Sequence, residues 1–352
     1  MIPAPAGHTL VGMEELKERE GRKYFTEISP KAWEHPADRA ALNALKQVPG
    51  LDEVLKFFVG GTGEKSIRLM FMASSVRATP KQFSRVHKMT EEATSILDAP
   101  DMPDVFVTQS PMLNAGAVGV KKPFITLNSS MLSQFSDEEL LAVIGHELGH
   151  IISGHVLYKT LLWFLLNAGI FLLKLPVGQL AIMGIIAALR EWDRKSELSS
   201  DRAGLLTVQD PSVSQSVLMK LAGGTHLEEM NLDEFVQQAE DYDKGENISD
   251  GVFKFMNLVW QSHPFPVMRL AAIKNWVDDG SYQKFMDGDY MRRDAQEKED
   301  IRRDFEDAAR EYQDEFKRSK DPLAQTINRA QETAEDVRKR AEEFFGNIFR
   351  QQ

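Results

Sequence analysis

Two histidines four positions apart, with a glutamate directly after the first, form the most chemically suggestive part of this sequence. They are His146, Glu147 and His150, in the string HELGH. On a helix, positions i and i+4 lie about 40° apart and one turn along the axis, so both imidazoles can reach one ion. Imidazole is a common zinc ligand, and a glutamate about 100° round flanks the metal as a general base. The string therefore predicts a catalytic zinc site with Glu147 as the base.

A catalytic zinc needs a third protein ligand and an open fourth position. His155 lies nine residues after His146. On a continuing helix that offset faces the opposite side, so His155 is not expected to be a ligand. The metzincin pattern would need Gly and His where the chain has Ser153 and Val156. The third ligand must therefore come from another part of the chain.

A second pair of acidic residues, Glu197 and Asp201, is one turn apart in a helix predicted over 191–206. Glu197 is the predicted third zinc ligand. Asp201 could accept a hydrogen bond from the outer nitrogen of a ligating histidine and so fix its tautomer. The alternative is that both carboxylates belong to a solvated face.

The elements that must position these residues change type along the chain. Ser136 and Glu139 form a predicted capping box at the start of the HELGH helix. Before it, short β-type runs at 105–107, 115–120 and 124–127 predict a small, mostly antiparallel sheet. Helices are predicted earlier still, over 36–48, 51–59 and 80–97, in a region for which no chemistry is predicted. This order predicts an α+β fold.

An apolar tract over 160–189 lies between the two motif helices, and Lys174 is its only charged residue. Pro176 and Gly178 follow that lysine. The two uncharged arms have 14 and 15 residues, or about 21–23 Å each as helix, which is short of the roughly 30 Å hydrocarbon core. Three alternatives remain: a buried helical hairpin, a hairpin that contacts one membrane leaflet, and a transmembrane segment.

The last region, 287–352, is rich in charge and contains apolar residues at heptad spacing over 323–348. Amphipathic helices folded back on the body, or an arm for self-association, would both give this pattern. We therefore expect a helical region over 1–100, a metallopeptidase core over 101–286 and a charged helical arm over 287–352.

The composition excludes several other classes of protein. With 42 basic and 53 acidic side chains, the net charge is −11, which gives no general attraction to nucleic acid. The absence of cysteine excludes disulfides, a thiol nucleophile and cysteine-ligated metals. No secretory signal opens the chain, which favours a cytoplasmic protein, with membrane association as an option.

The motifs together resemble those of the HtpX-like and CAAX-prenyl-protease-like zinc endopeptidases, which are gluzincins. The resemblance rests on LNAG at 113–116, SDEEL at 136–140, IGHELGH at 144–150, the ExxxD pair, and SHP at 262–264 with Arg269. It covers about residues 36–277 and implies a zincin-like fold. Membrane-embedded members carry several long transmembrane helices, whereas the only candidate here is 160–189.

The resemblance also implies residue roles and an activity. His146, His150 and Glu197 would hold one Zn²⁺, Glu147 would be the catalytic base, and Asp201 would support a ligand. The remaining assignments are His263 as an oxyanion donor and Asn114, Ala115 and Arg269 in substrate binding. The implied function is hydrolysis of peptide bonds in extended protein or peptide substrates. The alternative is a latent or non-catalytic zinc-containing protein that recruits partners through its C-terminal arm.

Overall fold

A computed structural model of the chain describes residues 21–60, 63–167, 179–244 and 265–293. Most of the described residues are helical. The helices are α1 Pro30–Trp33, α2 Pro36–Lys46, α3 Leu51–Gly60, α4 Gly63–Ser74, α5 Ser84–Ile96, α6 Ser129–Gln134, α7 Asp137–Ile152, α8 Val156–Asn167, α9 Gln179–Val208, α10 Pro211–Gly223, α11 Leu232–Lys244, α12 Pro266–Asp278 and α13 Ser281–Asp287. The strands are β1 Val76–Arg77, β2 Asp104–Thr108, β3 Ala115–Val118 and β4 Phe124–Asn128. The helices predicted over 36–48, 51–59 and 80–97 and the three predicted strands are present, with small changes at their ends.

The four strands form one mixed sheet in the order β1-β2-β4-β3. β1 pairs antiparallel with β2, and β3 pairs antiparallel with β4, with Ala115 opposite Leu127. Between them, β2 and β4 run parallel, from Asp104 opposite Phe124 to Thr108 opposite Asn128. The prediction of a mostly antiparallel sheet included neither this parallel pairing nor β1. The order places β3, the strand closest in sequence to Asn114, at an edge of the sheet.

One apolar core joins the sheet to the helices around it. Phe25 and Trp33 from the N-terminal part pack in the same cluster as Ile144 of α7, Leu206 of α9 and Trp276 of α12. All five side chains are buried. Residues on both sides of the expected boundary near position 100 therefore share this core.

A second apolar cluster contains several side chains from the described parts of the 160–189 tract. Leu161 of α8 and Ile185 of α9 are buried there with Leu45 of α2 and Leu51 of α3. α9 is longer than predicted, because residues 179–189 of the second apolar arm and the helix that carries Glu197 form one continuous helix. The tip of the tract, 168–178, lies outside the described residues.

In the part of the chain that the structure describes, no single helix meets the length and hydropathy needed to cross a membrane. Helices α7 and α8 meet these limits only as a pair, and they are bent by 96° at their junction. The heptad segment 323–348 and nearly all of the predicted charged arm lie outside the described residues.

Candidate zinc centre and active site

The capping box fixes the start of α7, the helix that carries the HELGH string. Ser136 accepts a hydrogen bond from the backbone N–H of Glu139, and the Glu139 carboxylate accepts one from the N–H of Ser136. Lys220 of α10 adds an ion pair to Glu139 at 2.8 Å. The predicted cap is therefore confirmed. It begins a helix that places His146, Glu147 and His150 deep in the protein, where all three are buried.

Glycines allow α7 and α9 to pack against each other at very short distance. A Cβ at Gly149 would lie 2.6 Å from the Cβ of Ala203, and one at Gly204 would lie 2.8 Å from the carbonyl oxygen of Ala142. At Gly145 the added carbon would lie 2.2 Å from Thr207 Oγ1. Because any larger residue would separate the helices, these glycines bring the acidic pair of α9 to the histidines of α7.

His146, His150 and Glu197 converge on one buried point. One ligand atom from each residue lies within 4.8 Å of the other two. His146 Nε2 is 3.4 Å from Glu197 Oε2, and His150 Nε2 is 3.2 Å from Glu197 Oε1. Two imidazole nitrogens and one carboxylate oxygen form a donor set that suits Zn²⁺. The structure thus brings together the three residues predicted as ligands.

Asp201 lies behind the first histidine, as its predicted supporting role requires. Its Oδ1 is 3.0 Å from His146 Nδ1. A carboxylate only accepts hydrogen bonds, so His146 Nδ1–H is the donor and Nε2 faces Glu197. Burial lowers the pKa of His146, but Asp201 and Glu197 raise it more, to about 9 when no metal is bound.

Arg269 of α12 contacts both carboxylates of the acidic pair. Its Nε and Nη2 donate to Asp201 at 2.8 and 2.5 Å, and its Nη1 lies 3.0 Å from Glu197 Oε2. Burial raises the pKa of Asp201, but Arg269 and His146 lower it more, so the group stays ionised. Arg269 also lines the cleft described below. Its assignment to substrate binding stays a prediction, while its direct contacts are with the proposed ligand Glu197 and with Asp201.

Lys159 of α8 is a site residue that the sequence analysis did not identify. Its Nζ lies 2.6 Å from Glu197 Oε1 and 2.8 Å from Asp193 Oδ1. Burial lowers its pKa, but the two carboxylates raise it more. Lys159 and Arg269 therefore contact different oxygens of Glu197. No pattern in the sequence indicates this role, because Lys159 directly precedes a long apolar tract.

His155 and Asp38 were also missed as parts of the site. As predicted, His155 is not a member of the ligand group. Its Nδ1 nevertheless lies 3.0 Å from His150 Nδ1. Its Nε2 lies 3.0 Å from Asp38 Oδ2. Asp38 belongs to α2, in the region for which no chemistry was predicted. The second histidine ligand is thus backed by a chain of two buried side chains.

A cleft of about 470 Å³ opens beside the histidines. His146, Glu147 and Arg269 line it together with Asn114 and Ala115 at the start of the edge strand. Apolar side chains form most of the remaining wall, including Leu113, Val143, Val217 and Leu218. His263, the predicted oxyanion donor, lies outside the described residues, and its role stays a prediction.

Comparison with known proteins agrees with this site. The model of peptidase family M48 matches residues 80–277, which include both motif helices. The chain belongs to peptidase family M48. It is therefore a metal-dependent protease, and its HtpX-like character, predicted from the motifs, is confirmed.

Named relatives of this M48 peptidase come from plants and bacteria. It is 34% identical over 267 residues to the plastoglobule-localized metallopeptidase 48 of Arabidopsis thaliana chloroplasts, over 74% of this chain and 77% of that protein. It is 28% identical to the mitochondrial metalloendopeptidase OMA1 of the same plant, and 33% identical to protease HtpX of Stenotrophomonas maltophilia. The matches span only 38% of OMA1 and 27% of HtpX. No solved structure matches the chain.

Proposed function

We propose that this M48 peptidase is a zinc endopeptidase that cleaves extended polypeptides, with His146, His150 and Glu197 as the zinc ligands. The observation that carries the proposal is the convergence of these three side chains at one buried point, beside a glutamate that lines an open cleft. Gluzincins share this ligand set, which the HELGH and ExxxD motifs also predicted.

Zinc bound here would polarise the scissile carbonyl and lower the pKa of water. Glu147 then acts as the general base and accepts a proton from the attacking water. It next delivers that proton to the nitrogen of the leaving amine. Glu147 follows His146 on α7 and lines the cleft, which supports its assignment as the base. His263 is proposed to donate a hydrogen bond to the oxyanion.

Substrate would lie along β3, the edge strand. A peptide can add to a sheet edge as a further strand, which aligns its backbone and directs alternate side chains into pockets. Asn114 and Ala115 stand where this strand meets the cleft, close to Glu147. The apolar walls of the cleft favour a substrate that has an apolar side chain next to the scissile bond. This arrangement supports a protein or peptide in extended conformation as the substrate.

The rival function is a latent or non-catalytic zinc protein that recruits partners through its C-terminal arm. A purely structural zinc site has no need for a base and usually takes a fourth protein ligand. A glutamate directly after the first histidine, on the wall of a cleft of this size, favours the enzyme. Self-association through 323–348 stays a prediction, because that segment lies outside the described residues.

Metal analysis of purified protein, joined to cleavage of a peptide library, tests the proposal. We expect one zinc per chain in the wild type and in Glu234→Ala, an exposed control outside the candidate ligand group. Glu197→Ala should lose both zinc and cleavage. At saturating zinc, His155→Ala should still hold one zinc, because His155 is not a ligand. Stoichiometric zinc in Glu197→Ala would overturn the ligand assignment.

We further propose that the 160–189 tract contacts a membrane surface. Trp163 and Leu166 of α8 are exposed at 44% and 36%, next to the apolar tip sequence. A hairpin also keeps α7 and α9 on one side of the membrane, as a shared metal requires. Flotation with liposomes tests this: the wild type should float and Trp163→Ser/Leu166→Ser should float less. A wild type that stays at the bottom would show a buried hairpin. The cytoplasmic location stays a prediction.

A further inference from the structure

The second zinc ligand is connected to an acidic residue through another histidine. His150 Nδ1 lies 3.0 Å from His155 Nδ1, and His155 Nε2 lies 3.0 Å from Asp38 Oδ2. His150, His155 and Asp38 are each at most 2% exposed. The chain of contacts is therefore enclosed by protein, and its hydrogen bonds are not exchanged for bonds to bulk water.

The end of α7 explains how His155 reaches His150. Gly154 has a φ of +73°, the left-handed conformation that glycine adopts readily at the end of a helix. The N–H of Gly154 donates to the carbonyl of Ile151 at 3.1 Å, and the N–H of His155 donates to that of His150 at 3.0 Å. These two bonds form a Schellman motif. The motif turns the chain back, so His155 does not continue along the helix to its far face.

Asp38 is itself held by two donors. Trp192 Nε1–H donates to Asp38 Oδ1 at 3.0 Å, and the hydroxyl of Ser199 donates to Oδ2 at 2.5 Å. Both donors belong to α9, the helix of Glu197, and both are fully buried. The carboxylate thus has one oxygen directed at Trp192 and the other shared by Ser199 and His155.

These contacts determine where the protons lie on neutral imidazoles. Asp38 accepts only, so His155 must carry its hydrogen on Nε2, which leaves Nδ1 as an acceptor. His150 must then carry its hydrogen on Nδ1 and donate it to His155. The lone pair of His150 is consequently on Nε2, the atom that lies 3.2 Å from Glu197 Oε1.

We propose that Asp38 and His155 are positioning residues that set the tautomer of His150 and so prepare its Nε2 to bind metal. The inference rests on the zinc site proposed above. His146 obtains the same tautomer directly from Asp201, whereas His150 obtains it through an intermediate imidazole. The N-terminal helix α2 thereby becomes part of the metal centre.

Asp38→Asn provides a sharp test, because an amide has one acceptor and one donor end. Trp192 N–H needs the carbonyl oxygen, so the amide NH₂ must face His155. His155 then accepts at Nε2 and donates from Nδ1, and His150 is forced to carry its hydrogen on Nε2. In Asp38→Asn/Trp192→Phe the indole donor is gone, so the amide can rotate and restore the original tautomers.

The first measurement is zinc affinity of the full chain by competition with a chelator. We expect Asp38→Asn and His155→Leu to bind zinc about 10–100-fold more weakly than the wild type, as for other partners of metal-ligating histidines. Trp192→Phe should bind nearly as well as the wild type, and Asp38→Asn/Trp192→Phe should recover most of the loss. An additive or larger loss in the double variant would overturn the proposal, since it would indicate a packing effect alone.

The second measurement is made without metal and is independent of the zinc assignment. Imidazole ¹⁵N chemical shifts of metal-free protein, at a pH where His150 is neutral, report which nitrogen carries the hydrogen. We expect His150 to be protonated on Nδ1 in the wild type and on Nε2 in Asp38→Asn. An unchanged His150 tautomer in Asp38→Asn would overturn the proposal. Failure of the wild type to bind zinc, with these tautomers as expected, would instead reject the zinc site.

Discussion

His146 Nδ1 lies 3.0 Å from Asp201 Oδ1, although 55 positions separate the two residues. One helix, α9, thus carries both the carboxylate proposed to bind zinc and the carboxylate that orients a zinc-binding histidine. Arg269 contacts both of these carboxylates. The relationship explains why the spacing of four residues between Glu197 and Asp201 matters. One helical turn places Glu197 at the proposed metal position and Asp201 behind His146.

Replacing Asp201 should weaken zinc binding without removing a ligand. In Asp201→Asn the amide cannot accept from both His146 and Arg269 as the carboxylate does, so the orientation of His146 is less well fixed. We expect a loss of about 10–100-fold in zinc affinity, measured by chelator competition. Asp278→Asn, at an exposed position of α12, is the control. Equal affinities in the two variants would remove Asp201 from the zinc site.

The contact between α7 and α9 should tolerate no larger side chain. Gly149→Ala would bring a methyl group within 2.6 Å of Ala203, and relief requires the helices to separate. We expect a loss of about 1–3 kcal/mol in the free energy of unfolding, from urea denaturation, together with weaker zinc binding. Gly223→Ala is the control, because its new methyl group would meet only the flexible end of Met230. A Gly149→Ala protein as stable as that control would contradict the close packing.

The stability of the fold should fall in acid, partly through His35. Its Nδ1 accepts a hydrogen bond from the N–H of Ala37 at the start of α2, and burial with nearby Arg202 and Lys195 lowers its pKa to about 3. The unfolded chain binds this proton below about pH 6.5, whereas the folded protein does not until about pH 3. Stability therefore decreases as the pH falls through this window, by at most about 1.4 kcal/mol per pH unit from this group.

His35→Asn is designed to remove that dependence. Asparagine is a good N-cap residue and does not titrate. Melting temperatures of the wild type and the variant at pH 7 and pH 5 give the comparison. We expect the wild type to lose more stability than His35→Asn between the two values. An identical loss in both proteins would show that His35 does not contribute.

The sequence predicted the parts of the site that depend on local spacing. The capping box at Ser136 and Glu139 uses residues three positions apart, and the two histidines are one turn apart on the same helix. Both patterns can be read directly because helix geometry fixes them. Strands β2, β3 and β4 were also predicted, since each is a short run of β-type residues between turn residues, whereas the two-residue strand β1 was not.

Long-range arrangement could not be predicted in the same way. The parallel pairing of β2 with β4 depends on how the chain crosses over, and no residue in either strand encodes it. Asp38 and Lys159 reach the site only because α2 and α8 pack against α9. The approach of His155 could have been anticipated from Gly154, since glycine at that position commonly ends a helix. A helix that continued past Gly154 would place His155 on the far face.

Hydrolysis by Glu147→Gln tests the central claim most directly. Glutamine keeps the size of the side chain but cannot accept a proton from water. We predict that this variant folds, holds one zinc per chain, and cleaves a peptide at a rate about 10²–10⁴-fold below that of the wild type. Cleavage at the wild-type rate by zinc-loaded Glu147→Gln would contradict the account.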